Sequence, residues 1–209
     1  LKSNMKTMRI SLLLLAVPFI ISNVKARDIS ITEAGAIADG KTLNTEIIQK
    51  SIDDVSEKGG GTVTIPPGEF LTGAIILKSG VTLELQKGAV LLGSKNLDDY
   101  RSIQPDYVAL RTIRPTKQLI FAEGETDIGI SGQGVIDGQG EAFKRAETGD
   151  EPGITRPHLI QLIDCYNVRI ENVTMLNSGG WMQHYLACDN LYIRGIQVYN
   201  HCNYNNDGI

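Results

Sequence analysis

From Thr62 onward, apolar and polar residues alternate in short runs broken by Gly, Asn or Asp. The runs are Thr62–Ile65, Ala74–Leu77, Val81–Leu85, Ala89–Leu92, Ile128–Ile130, Val135–Ile136, Leu159–Ile163, Val168–Ile170 and Leu191–Ile193. A period of two, rich in β-branched residues and bounded by turn formers, predicts strands of roughly three to five residues. One stretch follows a different period. Ile48, Ile52 and Val55 recur at helical spacing and predict a helix from Asn44 to Lys58. Asn44 suits its N-cap, Glu46 the positive end, and Lys58-Gly59 the stop. Upstream, Ile29 and Ile31 read as a short strand, followed by a Gly-rich turn up to residue 43.

The strands repeat. Cys165-Tyr166-Asn167-Val168-Arg169-Ile170 aligns with Cys188-Asp189-Asn190-Leu191-Tyr192-Ile193, an offset of 23 residues. Thr126–Val135 and Gly80–Leu85 carry the same shape earlier. Units of about 20–25 residues holding several short strands predict an all-β fold, a right-handed parallel β-helix whose coils stack on one another. A leucine-rich repeat would need Leu and Asn at fixed offsets, and a sandwich would not keep one period. Stacking predicts ladders of Cys165 with Cys188, Ile170 with Ile193, Val173 with Ile196, and Asn167 with Asn190. The helix is expected to cap the first coil. Asp98–Gln118 and Gly138–Pro157 interrupt the repeat, either as walls of a cleft or as solvated excursions.

Composition sharpens this picture. The chain has 209 residues, and its 22 Gly exceed the usual share, as repeated tight turns require. Lys6 and Arg9, the apolar run Ile10–Ile21 and the small-x-small site Val24-Lys25-Ala26 read as a cleavable signal peptide over residues 1–26. The run is too short to span a bilayer comfortably. Residues 27–209 are then expected to be secreted or periplasmic, with no membrane in the mature form. Losing Lys2, Lys6, Arg9 and Lys25 leaves 16 basic and 24 acidic residues. That balance argues against a nucleic-acid partner.

Cys165 and Cys188 are expected as stacked buried thiols rather than a disulfide. No Cys-x-x-Cys or His-x-x-x-His spacing supports a zinc site, and no metal or cofactor is expected.

The last third carries the chemistry. It reads Asn177-Ser178-Gly179-Gly180-Trp181, a strand unit to Asn200, and Asn203-Tyr204-Asn205-Asn206-Asp207-Gly208-Ile209. With Arg156-Pro157, Cys165-x-Asn167-Val168 and Cys188-x-Asn190-Leu191, and with Gly59-Gly60-Gly61-Thr62-Val63, Ile65-Pro66-Pro67-Gly68 and Gly88-Ala89 near the start, this order resembles glycoside hydrolase family 28 over residues 28–209. The resemblance implies a pectin-directed hydrolase, of polygalacturonase or rhamnogalacturonase type. It makes Asp207 the aspartate of the family's Asn-Thr-Asp motif, with Asn205 its Asn and Asn206 in place of the Thr. The family's Asp-Asp, Gly-His-Gly and Arg-x-Lys elements would follow Ile209. The chain, which begins at Leu1, is therefore expected to be the N-terminal part of a longer protein with its C-terminal coils missing, and to be inactive alone. The substrate would be a galacturonate-containing pectic polysaccharide and the protein a monomer.

Inverting glycoside hydrolysis needs one carboxylic acid and one water-activating carboxylate. Asp207 is the expected catalytic carboxylate. Asn205, Asn206 and His201 are the expected substrate-binding residues. Each has a plainer reading: Asp207, Asn205 and Asn206 as turn residues, His201 as solvated turn, Trp181 as core packing, His184 as a structural strand residue and Arg156 as a loop anchor. Two other functions share the fold: a Ca²⁺-dependent pectate lyase and a non-catalytic polysaccharide-binding β-helix.

Overall fold

The computed structural model describes residues 27–110, 112–143, 154–204 and 206–209. The leader expected over residues 1–26, and Asn205, lie outside these residues. The first coil contains β1 (Ile29–Ser30), β2 (Asp39–Leu43) and α1 (Thr45–Glu57). The second contains β3 (Gly61–Ile65), β4 (Gly68–Thr72) and β5 (Ile75–Ile76). The third has β6 (Val81–Leu85), β7 (Ala89–Gly93), the small antiparallel β8 (Ser102–Ile103) and β9 (Thr116–Glu123). The fourth has β10 (Thr126–Gly132), β11 (Val135–Asp137) and β12 (His158–Ile163). The fifth has β13 (Tyr166–Glu171), β14 (Thr174–Leu176) and β15 (Gln183–Leu186). The sixth holds β16 (Asp189–Arg194) and β17 (Gln197–Tyr199).

Coils two to five each give one strand to each of three parallel sheets, while the first and sixth each give one to the first two, forming a right-handed parallel β-helix. The first sheet runs β1-β3-β6-β10-β13-β16, the second β2-β4-β7-β11-β14-β17, and the third β5-β9-β12-β15. Exact register makes the core a set of rows. Val63, Leu83, Ile130, Ile170 and Ile193 form one row. Phe70, Leu91, Ile136, Met175 and Val198 form another. Each fully buried aliphatic side chain contributes roughly 1.5–3 kcal/mol by leaving water. α1 closes the end of the stack by burying Ile48, Ile52 and Val55 against β3, β5 and β6.

The polar ladder is also present. Asn190 Nδ2 donates to Asn167 Oδ1 at 3.0 Å, and Asn167 Nδ2 to Asp127 Oδ1 at 2.9 Å. All three residues have φ between +53° and +56°. This left-handed turn disfavours most side chains but is accessible to Asn and Asp. Cys165 lies beside Cys188 at the rung preceding the Tyr166–Asp189 pair, and both are free thiols. The Cys188 thiol, together with burial, pushes the Cys165 pKa up.

Three details differ from expectation. Asn44 stands at the N-cap, but its side chain makes no cap bond. It is buried, and it accepts from Ile37 N at 2.8 Å while donating to the Ile37 and Thr42 carbonyls. The segment before the helix contains β2, whose alternation is polar because both its ends face water. Thr116–Gln118 belong to β9, so the first interruption is shorter than its composition suggests.

We expect Asn167→Ala to lower stability by about 1–2 kcal/mol, since it loses two ladder bonds and leaves an ordinary side chain at positive φ. Asn167→Gly should cost less. Urea unfolding midpoints check the order, and a larger loss for the glycine variant would contradict it.

Candidate functional site

The described residues 200–204, 206 and 207 form a loop after β17 that returns towards β15. An amide clamp fixes it. Asn200 Oδ1 accepts from Ser178 N at 2.8 Å and from Asn206 Nδ2 at 2.9 Å. Asn200 Nδ2 donates in turn to the Asn206 carbonyl. Asn206 Nδ2 also reaches the Ser178 carbonyl at 3.4 Å, as does Cys202 Sγ. Asn203 Nδ2 donates to the Gly140 carbonyl at 2.6 Å and the Phe143 carbonyl at 3.1 Å. The described part of the second interruption therefore buttresses this loop. Phe143 packs edge-on against Tyr100 of the first interruption, with ring centres 5.8 Å apart.

Beyond the loop the chain runs beside the start of β15 and bonds to it, with no strand formed there. Met182 N donates to the Asp207 carbonyl at 2.8 Å, and Gln183 Nε2 to the Gly208 carbonyl at 3.0 Å. One coil earlier, Leu159 N donates to the Trp181 carbonyl at 3.0 Å. The repeated pattern places Asp207 in one row with Trp181 and His158, and His158 pairs with Gln118. Asp207 is exposed, and its main chain is tied down.

The expected site residues fall as follows. Asp207 and His201 are exposed and line one depression of about 360 Å³, together with Asn200, Asn206 and Val198. Asn206 lines it too, but it is buried and its amide nitrogen is committed to Asn200 and Ser178. Asn205 lies outside the described residues. A larger depression, about 860 Å³, runs along the outer face of the first sheet past Asp127, Arg169 and Tyr192. It shares no residue with the one at Asp207. Among the described residues no cluster of His, Cys, Asp and Glu could hold a metal ion.

Ser178 and Asn200 stand in the sequence only as parts of the motif and strand unit, with no role expected of either. The signal was available, because Asn200 repeats Asn177 at the same 23-residue offset as the Asn167–Asn190 pair. Arg156 is an anchor: it is fully buried, and Nη1 donates to the Gly179 carbonyl. His184 sits on β15, with Nδ1 3.0 Å from Gln161 Nε2. Trp181 is half-buried. It stacks on His158 at 4.9 Å and 13°, and meets His184 edge-on at 5.4 Å. His158 Nδ1 accepts from Trp181 N at 2.9 Å, so the ring proton resides on Nε2. Burial, then the charges of His184 and Arg156, push the His158 pKa down to about 3.

The chain folds as a right-handed parallel β-helix with an exposed aspartate beside a shallow depression. The profile of glycosyl hydrolases family 28 matches residues 56–209, and the chain belongs to this family. A protein of Vitis vinifera named probable polygalacturonase is 35% identical over 83% of the chain. An exo-poly-alpha-D-galacturonosidase of Dickeya chrysanthemi is 41% identical over 64%. The family 28 exopolygalacturonase of Yersinia enterocolitica superposes with a TM-score of 0.72 at 30% identity, over 85% of this chain and 39% of that one. The chain spans 37% of the Vitis protein and 23% of the Dickeya protein.

Two expectations follow. Between its ordinary value of 6.5 and about 3, His158 is protonated in the unfolded chain and neutral in the folded one. Its contribution is complete above that window and is lost as pH falls through it, by about 1.4 kcal/mol per unit. Urea unfolding should therefore show about 2 kcal/mol lost between pH 6.5 and 5 from this group, and His158→Asn should flatten that slope. Asn200→Ala strips Ser178 N and the Asn206 amide of a shared acceptor, a cost of about 1–3 kcal/mol. Faster hydrogen exchange at the Ser178 amide would report it.

Proposed function

We propose that the protein carrying this chain hydrolyses glycosidic bonds in galacturonate-containing pectic polysaccharide with inversion, and that Asp207 is the water-activating carboxylate. The observation that carries this reading is the placement of Asp207: its side chain is exposed at a depression while its carbonyl is fixed by Met182 N. Family membership supplies the reaction class. The names of the Vitis and Dickeya relatives supply the polymer.

The chemistry requires two carboxyl groups about 6.5–9.5 Å apart. Asp207 takes a proton from water as the water oxygen bonds to the anomeric carbon. A carboxylic acid opposite gives its proton to the departing sugar oxygen. Among the described residues lining the depression, Asp207 is the carboxylate. The acid is therefore assigned, by family pattern, to an aspartate following position 209. His201 stands where a sugar hydroxyl could be hydrogen-bonded. Asn206 acts through the loop that it holds, and Asn205 beside it is assigned to substrate contact by the family motif. The leader-like composition of residues 1–26 supports a protein that acts outside the cytoplasm, in the medium or the periplasm, and we take it to act as a monomer.

The test is release of reducing ends from polygalacturonate and rhamnogalacturonan. Activity should persist in EDTA with no unsaturated product, which separates hydrolysis from lyase chemistry. Asp207→Asn should lower kcat by about 10²–10⁴-fold while the fold is retained. Wild-type activity in that variant would remove Asp207 from the mechanism. Binding without cleavage by the wild-type protein would favour a non-catalytic β-helix.

A further inference from the structure

We propose that His158 is a positioning residue for Asp207: its imidazole holds the Trp181–Met182 rung, and that rung in turn holds the Asp207 main chain. The proposal rests on the reading of Asp207 as the water-activating carboxylate. It assigns a task to a buried group that glycoside hydrolysis does not itself use.

The connection is continuous. His158 is 2% exposed, and it offers Nδ1 to Trp181 N at 2.9 Å while its ring lies flat against the indole. The neighbouring Pro157 carbonyl is engaged by Gly180 N at 2.8 Å, so the imidazole serves Trp181 where a carbonyl otherwise would. The next amide, Met182 N, carries Asp207. The Trp181 carbonyl is held from two sides, by Leu159 N at 3.0 Å and Ser178 Oγ at 2.9 Å. The segment is thus gripped from the coil beneath and grips the rung above. Gly180 makes this approach possible, because a Cβ there would stand 2.8 Å from His158 Nδ1. The groups facing His158 are Arg156 on its own segment and His184 on β15, and both oppose a second positive charge.

A misplacement of about 1 Å at a reacting carboxylate can cost on the order of 10²-fold in rate. His158→Leu keeps bulk but no acceptor, whereas His158→Asn keeps an acceptor near the Nδ1 position. In the protein carrying this chain, His158→Leu should lower kcat on polygalacturonate by about 10- to 100-fold with KM within about twofold. It should also speed exchange of the Trp181 and Met182 amides. His158→Asn should restore much of both. Gly180→Ala, which drives a methyl against the imidazole, should reproduce the kcat loss and serves if the leucine variant does not fold. Wild-type kcat and amide protection in a folded His158→Leu or Gly180→Ala variant would overturn the proposal. Equal losses in the Leu and Asn variants would also overturn it, since packing alone would then explain them. Asp207→Asn is measured alongside. If it stays active, the reading of Asp207 fails, whereas the exchange rates still judge the link from His158 to Met182.

Discussion

Everything in this molecule depends on one constraint: each coil must hydrogen-bond to the previous one in register, which slips only where β2 meets β4. A parallel strand satisfies its main-chain groups only through its neighbours, and a slip of one residue would turn its apolar set outward. The rows Val63–Leu83–Ile130–Ile170–Ile193 and Phe70–Leu91–Ile136–Met175–Val198 are the visible result. The turns obey the same rule. Asp127, Asn167 and Asn190 share one unusual backbone conformation because each must leave the third sheet and enter the first at the same place.

Register also explains how a solvent-facing carboxylate can be held still. A long loop would leave Asp207 free to wander at a large entropic cost to any reaction. Here its main chain joins a rung, while the turn before it is folded back by Asn200 and Asn206. Rigidity comes from main-chain and amide groups that carry no charge. The nearby buried imidazole is neutral as well, its second proton opposed by burial and by the charges of His184 and Arg156.

The repeat was legible because like residues must stack. The 23-residue offset between Cys165 and Cys188 revealed the solenoid, and its apolar alternation marked most strands of the first sheet. β4, β9, β14, β15 and β17 were harder to see. β9 is buried along nearly its whole length, which erases the alternation on which strand reading relies, whereas the equally buried β12 shows as the apolar run Leu159–Ile163. The roles of Asn44 and Asn206 were hidden for a related reason. Both are turn-forming residues by composition, and only tertiary packing shows that their amides bond inward. Asp207 was found by the motif around it. Its tie to Met182, and through Trp181 to His158, could not be read without the register of the third sheet.

The ladder partners along the first sheet are 34, 20, 47, 40 and 23 residues apart from one coil to the next. The sheets do not register the difference, since the additional residues leave and return at turns. Loop closure costs rise only logarithmically with length. The fold therefore separates two kinds of inheritance: a frame in which almost no position can be added or removed, and excursions that can be lengthened, trimmed or exchanged. Two such excursions meet through Phe143 and Tyr100, and one of them supports the loop before Asp207. Such excursions can therefore be edited with Asp207 left where the frame already puts it.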